Sequence, residues 1–312
     1  MNVYQKIFEN QKNNFNQLIS NIDEKILNNL VDLFIKYQKK NIYFAGVGKS
    51  GNLASHLSDI FKSIGFKSFY LNIMNSTHGD LGCIKNEDFI LFFSKSGSTK
   101  EILDIVDIFN CYKILITSNE NGKISNKVND TFIVPLVEEG DIHFNLIPSN
   151  SITNNLIYFN FVFNMLVDKT GMKLDEYKLN HSSGDIGFRT KKIKDFINND
   201  VYVCDDINIS IKNVLELLKV NKMGIIFKNN NKFYGIITNK DILNIFSAKD
   251  INLDQKIKDY INISPFILED SNSLISEKIE KIKEYKYFKF IPILDNGEYV
   301  GVLDNSKILK YL

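Results

Sequence analysis

Ser94-Lys95-Ser96-Gly97-Ser98-Thr99-Lys100-Glu101 brings hydroxyls, ammonium groups and one carboxylate into a single short stretch. It follows the apolar run Phe89–Phe93 and precedes a helical recurrence of Ile102, Leu103, Ile105, Val106, Ile108 and Phe109, so a helix is expected to begin near Thr99. A helix start presents unpaired N–H groups and the positive end of its dipole, which suits a phosphate. Ser94, Ser96, Ser98 and Thr99 would add hydroxyl donors around the same anion, and Lys95 would add charge. The residues alone are equally consistent with an N-capped helix after a serine-rich turn. They also leave Glu101 as either a proton-transfer group or a first-turn carboxylate favoured by the dipole.

Other reactive side chains gather in similar small, polar surroundings. His78 lies in Ser76-Thr77-His78-Gly79-Asp80, a context unlike that of a core histidine, and His181 lies in Asn180-His181-Ser182-Ser183-Gly184. His56 is assigned to a helix, at its surface or in packing, and His143 to either a site rim or a solvated loop. Lys49 and Ser50 belong to Gly46-Val47-Gly48-Lys49-Ser50-Gly51, which has the letters of a dinucleotide-binding turn. The next strand ends in Phe69-Tyr70-Leu71-Asn72, without the acid that would hold a ribose, and Tyr43 stands where a nucleotide P-loop needs its first glycine. What remains is a turn allowing close backbone approach to an anion, with Lys49 reaching over it.

The elements that must position these groups alternate. Residues 2–38 read as one or two amphipathic helices. Strands are expected at 41–45, 67–71, 88–93, 112–117 and 131–134, with a helix to about Ile64 and a short one between the last two strands; 74–82 is a loop. Alternation implies right-handed crossovers and a parallel sheet covered on both faces, with ligands outside the carboxyl ends of the strands. Residues 151–167 form a long helix rich enough in Ile, Leu, Phe and Tyr to be buried nearly all round, against a second subunit. Residues 171–192 read as a linker or flap. From Ile193 the chain repeats itself: Ile193-Lys194-Asp195-Phe196-Ile197 returns as Ile257-Lys258-Asp259-Tyr260-Ile261, 64 residues later. Tyr234-Gly235-Ile236-Ile237 returns as Tyr299-Val300-Gly301-Val302-Leu303. That period fits two pseudo-symmetric modules, 193–252 and 253–312.

Composition narrows the class. The 312 residues carry 44% hydrophobic and 24% charged side chains, an ordinary globular balance long enough for two or three domains. A formal net charge of +1 offers no basis for nucleic-acid or membrane-surface binding. Cys83, Cys111 and Cys204 are odd in number and scattered, so neither a disulfide framework nor a metal site is expected. The amino-terminal residues have no apolar signal core, and a cytoplasmic location is expected.

Gly46–Gly51, Ser76-Thr77-His78-Gly79-Asp80-Leu81-Gly82, Ser94–Glu101 and His181 stand in the order and spacing of a known family. Across essentially its whole length the chain resembles a sugar isomerase (SIS) domain, 1–170, followed by two cystathionine-β-synthase (CBS) modules, as in the D-arabinose 5-phosphate isomerases. The resemblance implies a doubly wound α/β SIS domain with a parallel sheet and a tandem α+β CBS pair, forming a homotetramer that uses no cofactor. It implies interconversion of D-ribulose 5-phosphate and D-arabinose 5-phosphate through an enediolate, feeding Kdo for lipopolysaccharide or capsule. Ser94, Ser96 and Thr99 would hold the phosphate with Ser50 nearby. Glu101 would be the base, His78 or His181 would open the ring, and Lys49 would stabilise the enediolate oxygen. His181 would reach a neighbouring subunit's site.

The chain departs from the family pattern at named places. Lys95 and Ser98 replace Asn and Glu of the usual S-N-S-G-E-T loop. Glu138-Glu139-Gly140-Asp141 stands for E-A-C-P, so that Glu139 matches the family's second glutamate only with one residue inserted. His181-Ser182-Ser183-Gly184-Asp185-Ile186-Gly187 replaces H-P-G-G-A-L-G. These changes leave open another phosphosugar of a surface glycan, or a sugar-phosphate sensor without turnover. The CBS pair resembles modules that bind adenosyl ligands, and Thr238-Asn239-Lys240-Asp241 keeps the Thr-x-x-Asp ending, which supports one such site at most and leaves open a purely structural or dimerising role. The second copy, Asp304-Asn305-Ser306-Lys307, has lysine at the acid's position.

Overall fold

The computed structural model describes residues 2–76, 78–181, 183–220, 224–247, 251–285, 290–304 and Ile308. They divide into two compact units, Met1–Asn180 and His181–Leu312.

The first unit opens with helices α1 (Val3–Ser20) and α2 (Glu24–Lys36). Asn2 and Gln5 close a capping box on α1, and the Asp23 carboxylate accepts from the N–H groups of Lys25 and Ile26 at the head of α2. Then follow β1 (Ile42–Gly46), α3 (Lys49–Ser63), β2 (Ser68–Asn72), the single turn α4 (Ile73–Ser76), β3 (Phe89–Phe93), the single turn α5 (Lys100–Leu103), β4 (Tyr112–Thr117), β5 (Asp130–Ile133), α6 (Asn150–Thr170) and α7 (Leu174–Asn180). The strands form one sheet in the order β2-β1-β3-β4-β5, every pair parallel. The doubly wound α/β class expected from alternation is therefore the fold found.

Pleating explains why β3 is apolar without interruption. Phe89, Leu91 and Phe93 enter the core beneath α2, α3 and α6, together with Phe34, Phe44, Phe61 and Phe159. Ile90 and Phe92 enter the opposite core with Ile102, Val106 and Leu115.

Three expectations are corrected. The helix foreseen from Thr99 through Phe109 ends at Leu103 and resumes only as a 3₁₀ turn, Val106–Ile108. Lys113 on β4 donates its ammonium to the carbonyls of Val106 (3.1 Å) and Phe109 (2.7 Å), tying the stretch beyond α5 to the sheet. The apolar spacing still drives burial of Ile105, Val106 and Phe109, whereas Ile108 faces out. The loop read at 74–82 contains α4 and a 3₁₀ turn, Asp80–Cys83. Helix α6 is not buried all round within the chain: Asn154, Tyr158, Val162 and Leu166 form its inner stripe, while Phe161 and Val167 are exposed.

The second unit contains α8 (Gly184–Arg189), β6 (Ile197–Asn198), β7 (Tyr202–Cys204), α9 (Ile211–Val220), β8 (Ile225–Asn229), β9 (Lys232–Ile237), α10 (Asn239–Phe246), β10 (Leu268–Glu269), α11 (Ile275–Glu284), β11 (Phe290–Asp295) and β12 (Glu298–Asp304). Its sheets are mixed, β7-β8-β9 and β10-β11-β12-β6. The repeated phrase is exchanged between copies. Ile193 and Phe196 pack in the core of the later sheet, and Ile197 pairs with Leu303 of β12. Reciprocally, Ile257 and Ile261 pack in the earlier core, and Asn262 bridges to Ile236 of β9. Among the described residues no helix is long and apolar enough to cross a membrane.

Candidate active site

In a 2-1-3-4-5 sheet the connections from β1 and β3 leave in opposite directions, opening a crevice between their carboxyl ends. Gly46, the last residue of β1, lies in register with Phe93, the last of β3. The Val47–Ser50 turn and the Ser94–Thr99 turn therefore emerge side by side. A Cβ on Gly46 would meet the Ser50 carbonyl at 2.7 Å, so glycine is what lets α3 begin against the strand it has just left.

The Ser94–Thr99 turn is held from several sides. Gly97 has φ of +62°, and a Cβ there would stand 2.8 Å from Gly122 Cα, so two loop backbones pack directly together. Ser118 N–H and the Thr117 hydroxyl donate to the Lys95 carbonyl, Asn119 Nδ2 donates to the Ser96 carbonyl, and Ile124 N–H donates to that of Gly97. Ser94 Oγ and Thr99 Oγ1 lie 2.7 Å apart; one O–H is used between them and the other remains to donate outward. Ser96 Oγ, exposed, accepts the Ser98 N–H within the turn.

Ser50 joins this cradle: with Ser94, Lys95, Thr117, Ser151 and Asn155 it lines a constricted cavity of about 10 Å³, room for one water. Lys49 lines the adjoining cleft of about 570 Å³ with Asn52, His56, Ser149 and Thr153. Leu53 and Ile152 belong to both walls. Glu101 stands half-buried in the first turn of α5, and its side chain makes no hydrogen bond or ion pair with another described residue. His78 stands exposed in the turn after α4, where its N–H donates to the Asn75 carbonyl, and α4 packs against α5. Lys49, Ser50 and Ser94 thus share one pair of clefts. Ser96, Thr99 and Glu101 belong to the turn and helix that follow Ser94, and His78 lies on the β2–β3 connection; none of the four lines either cleft. His181 is the first residue of the second unit, and His143 is exposed in the 141–146 loop.

Glu139 is only 2% exposed. One carboxylate oxygen accepts Lys95 Nζ at 3.0 Å, and the other accepts the N–H groups of Ser149 and Ser151 at the head of α6, each at 3.0 Å. Burial by itself would push this carboxyl up. The Ser149 and Ser151 N–H groups, the Ser151 hydroxyl and the Lys95 ammonium outweigh it and hold the group below the usual carboxylate range. Behind this loop runs an amide network not foreseen from the sequence. Asn10 reaches Glu138 (2.5 Å), Gln11 reaches Asn150 (2.8 Å), and Asn14 and Asn154 exchange donors at 2.7 and 3.1 Å. The available signal was the i, i+4 repetition of asparagine on both helices, Asn10/Asn14 and Asn150/Asn154.

In the second unit Thr238 and Asp241 are partners of each other. The Asp241 carboxylate accepts the Thr238 N–H (2.8 Å) and hydroxyl (2.6 Å), closing a capping box at the head of α10. The second copy's Asn305-Ser306-Lys307 lies outside the described residues.

Comparison with known proteins follows the same division. An SIS-domain model matches residues 36–165 and a CBS-domain model residues 193–248. An uncharacterized protein of Chlamydia pneumoniae is 30% identical over 270 residues, 82% of this chain and 80% of its own. Arabinose 5-phosphate isomerase KdsD of Francisella tularensis is 23% identical over 309 residues, covering 97% and 92% of the two chains. Among solved structures, an Escherichia coli CFT073 protein in complex with arabinose 5-phosphate superposes with a TM-score of 0.53 at 26% identity, over 58% of this chain and all of its own. The chain therefore belongs to the SIS-domain phosphosugar isomerase family, in the form that carries a CBS domain, and is a distant relative of the arabinose 5-phosphate isomerases.

Proposed function

We propose that this protein is an aldose–ketose isomerase that interconverts D-ribulose 5-phosphate and D-arabinose 5-phosphate. The observation that carries the reading is the common wall of Leu53 and Ile152, which sets the hydroxyl cradle and the Lys49 cleft side by side. A phosphate held on the Ser94–Thr99 turn, outside the cavity that has room for one water, would leave a five-carbon chain in the Lys49 cleft, and about 570 Å³ is an ample volume for it. The relative solved with arabinose 5-phosphate supports the choice of pentose.

In this reading Ser94, Ser96, Thr99 and Ser50 hold the phosphate. Glu101 takes a proton from C1 of the ketose and returns it to C2 of the enediolate, giving the aldose. Lys49 stabilises the negative oxygen of the enediolate. His78 or His181 opens the furanose ring of the aldose, a proton relay suited to imidazole. The working form is a cytoplasmic homotetramer supplying Kdo for a surface polysaccharide, and the CBS region takes an adenosyl ligand. The altered rim, with the Lys95–Glu139 pair beside the cradle, favours as second reading an isomerase of another phosphosugar.

Purified protein given D-ribulose 5-phosphate, followed by NMR, is expected to yield D-arabinose 5-phosphate and to incorporate deuterium at C2 in D₂O. Turnover of a different ketose phosphate in its place would establish the second reading. Tight binding without turnover would leave a sensor.

A further inference from the structure

Lys95 and Glu139 are 44 residues apart in sequence, and both sit where a ligand-binding turn meets a helix start. The Glu139 carboxylate has none of the freedom that a base requires. Its Oε1 accepts the Lys95 ammonium, and its Oε2 accepts two N–H groups of the first turn of α6. Its own N–H donates to Asn145 Oδ1 at 2.6 Å, so the main chain is fixed as well. A resident carboxylate therefore occupies the α6 N-terminus, the place an incoming anion would otherwise take. The Lys95 carbonyl is anchored by Ser118 and Thr117, so the pull of Glu139 on its ammonium is transmitted to the backbone directly after Ser94.

We propose that Lys95 and Glu139 form an ionic latch that fastens the Ser94–Thr99 turn to the head of α6 and sets the affinity for the phosphosugar, Glu139 being a positioning residue with no part in proton transfer. The proposal rests on the phosphosugar reading above. Lys95 is 44% exposed, so the pair is solvated on one side. Glutamine at 139 keeps an oxygen for the α6 N–H groups and puts an amide NH2, which cannot accept, where Lys95 donates, so the charge and the Lys95 contact go together. Each half of the latch can thus be opened separately.

The test compares wild type, K95M, K95R, E139Q and the K95M/E139Q double variant, by turnover of D-ribulose 5-phosphate and by calorimetric binding of D-arabinose 5-phosphate. K95M and E139Q are each expected to raise KM and Kd about tenfold with kcat within about threefold, the pattern of lost binding rather than lost chemistry. The double variant should be no worse than either single, and K95R should stay near wild type, because both follow from one shared contact. The pH profile of kcat should keep its shape in E139Q. Loss of kcat by a hundredfold or more in E139Q with KM unmoved would overturn the proposal, since Glu139 would then be moving protons. So would Kd values within twofold of wild type in K95M; should E139Q not fold, K95M and K95R decide alone. Wild-type protein that binds neither pentose phosphate would instead overturn the functional reading beneath the latch.

Discussion

The β3–α5 turn and the β5–α6 turn each bring a glutamate to a helix start, and they use it in opposite ways. Glu101 sits inside a one-turn helix, half-buried, its side chain with no partner among the described residues. Glu139 precedes a 21-residue helix, is 2% exposed, and is held by Lys95 and two N–H groups. The difference teaches that proximity to a helix dipole says little about role. The number of partners does. A carboxylate saturated with donors is stabilised as an anion and is a poor proton acceptor, whereas one left open beside a cleft can exchange a proton with whatever enters.

The contrast can be broken most forcefully at Glu101. E101Q is expected to lower kcat by roughly 10²–10⁴ while leaving the melting temperature within a degree or two, because no contact is lost. Near-normal turnover in steady-state assays would remove Glu101 from the chemistry. The reverse pattern is expected of E139A, which strips two α6 N–H groups of their acceptor and should cost about 2 kcal/mol in urea unfolding. An unchanged midpoint would show that water replaces the carboxylate without penalty.

Acid sharpens the same comparison. Because the Glu139 carboxyl is held below the usual range in the folded protein, its contribution is fully present above the unfolded carboxylate pKa of about 4.3 and fades as pH falls through the lower folded value. Melts from pH 6 down to pH 3 should therefore lose less stability in E139Q than in wild type; parallel curves would count against it. The smallest effect is expected in the second unit. D241A removes an acceptor from a helix cap and should cost about 1 kcal/mol, with isomerisation untouched. A larger loss of adenosyl binding than of stability would show that the cap and a ligand share that carboxylate.

Much of the first unit was legible. Five strand-like stretches became five parallel strands, and the plainest signals were β1 and β3, which are buried along their whole length and need no alternation. The positions of the two glycine- and hydroxyl-bearing turns could be read as well, each directly after a strand and before a helix. Their adjacency could be read only through the topology: Gly46 faces Phe93 because β1 lies beside β3. The Lys95–Glu139 pair was not legible, because a contact 44 residues apart leaves no periodicity. Residues 102–109 misled for a different reason. Their spacing is helical, but the same apolar positions are buried through one short helical turn and a 3₁₀ turn, so the period alone does not set where the helix ends. Thr238 and Asp241 show the limit of a motif. The letters fit a ribose site, and the side chains are engaged with each other.

The exchanged phrases of the second unit constrain the order in which it can assemble during synthesis. Ile197 and Asn198 find their strand partners at Leu303 and Val302, about a hundred residues downstream. The earlier core likewise waits for Ile257 and Ile261. Neither copy can therefore close as it leaves the ribosome. Residues 193–198 should gain their protection from proteases in one late step, when β12 arrives, with the loop-closure entropy of the whole span to overcome at that moment. A nascent chain stalled before Glu298 should remain cleavable at residues 193–198, while the earlier core, complete once Ile261 has emerged, and the parallel sheet ahead of it are already resistant.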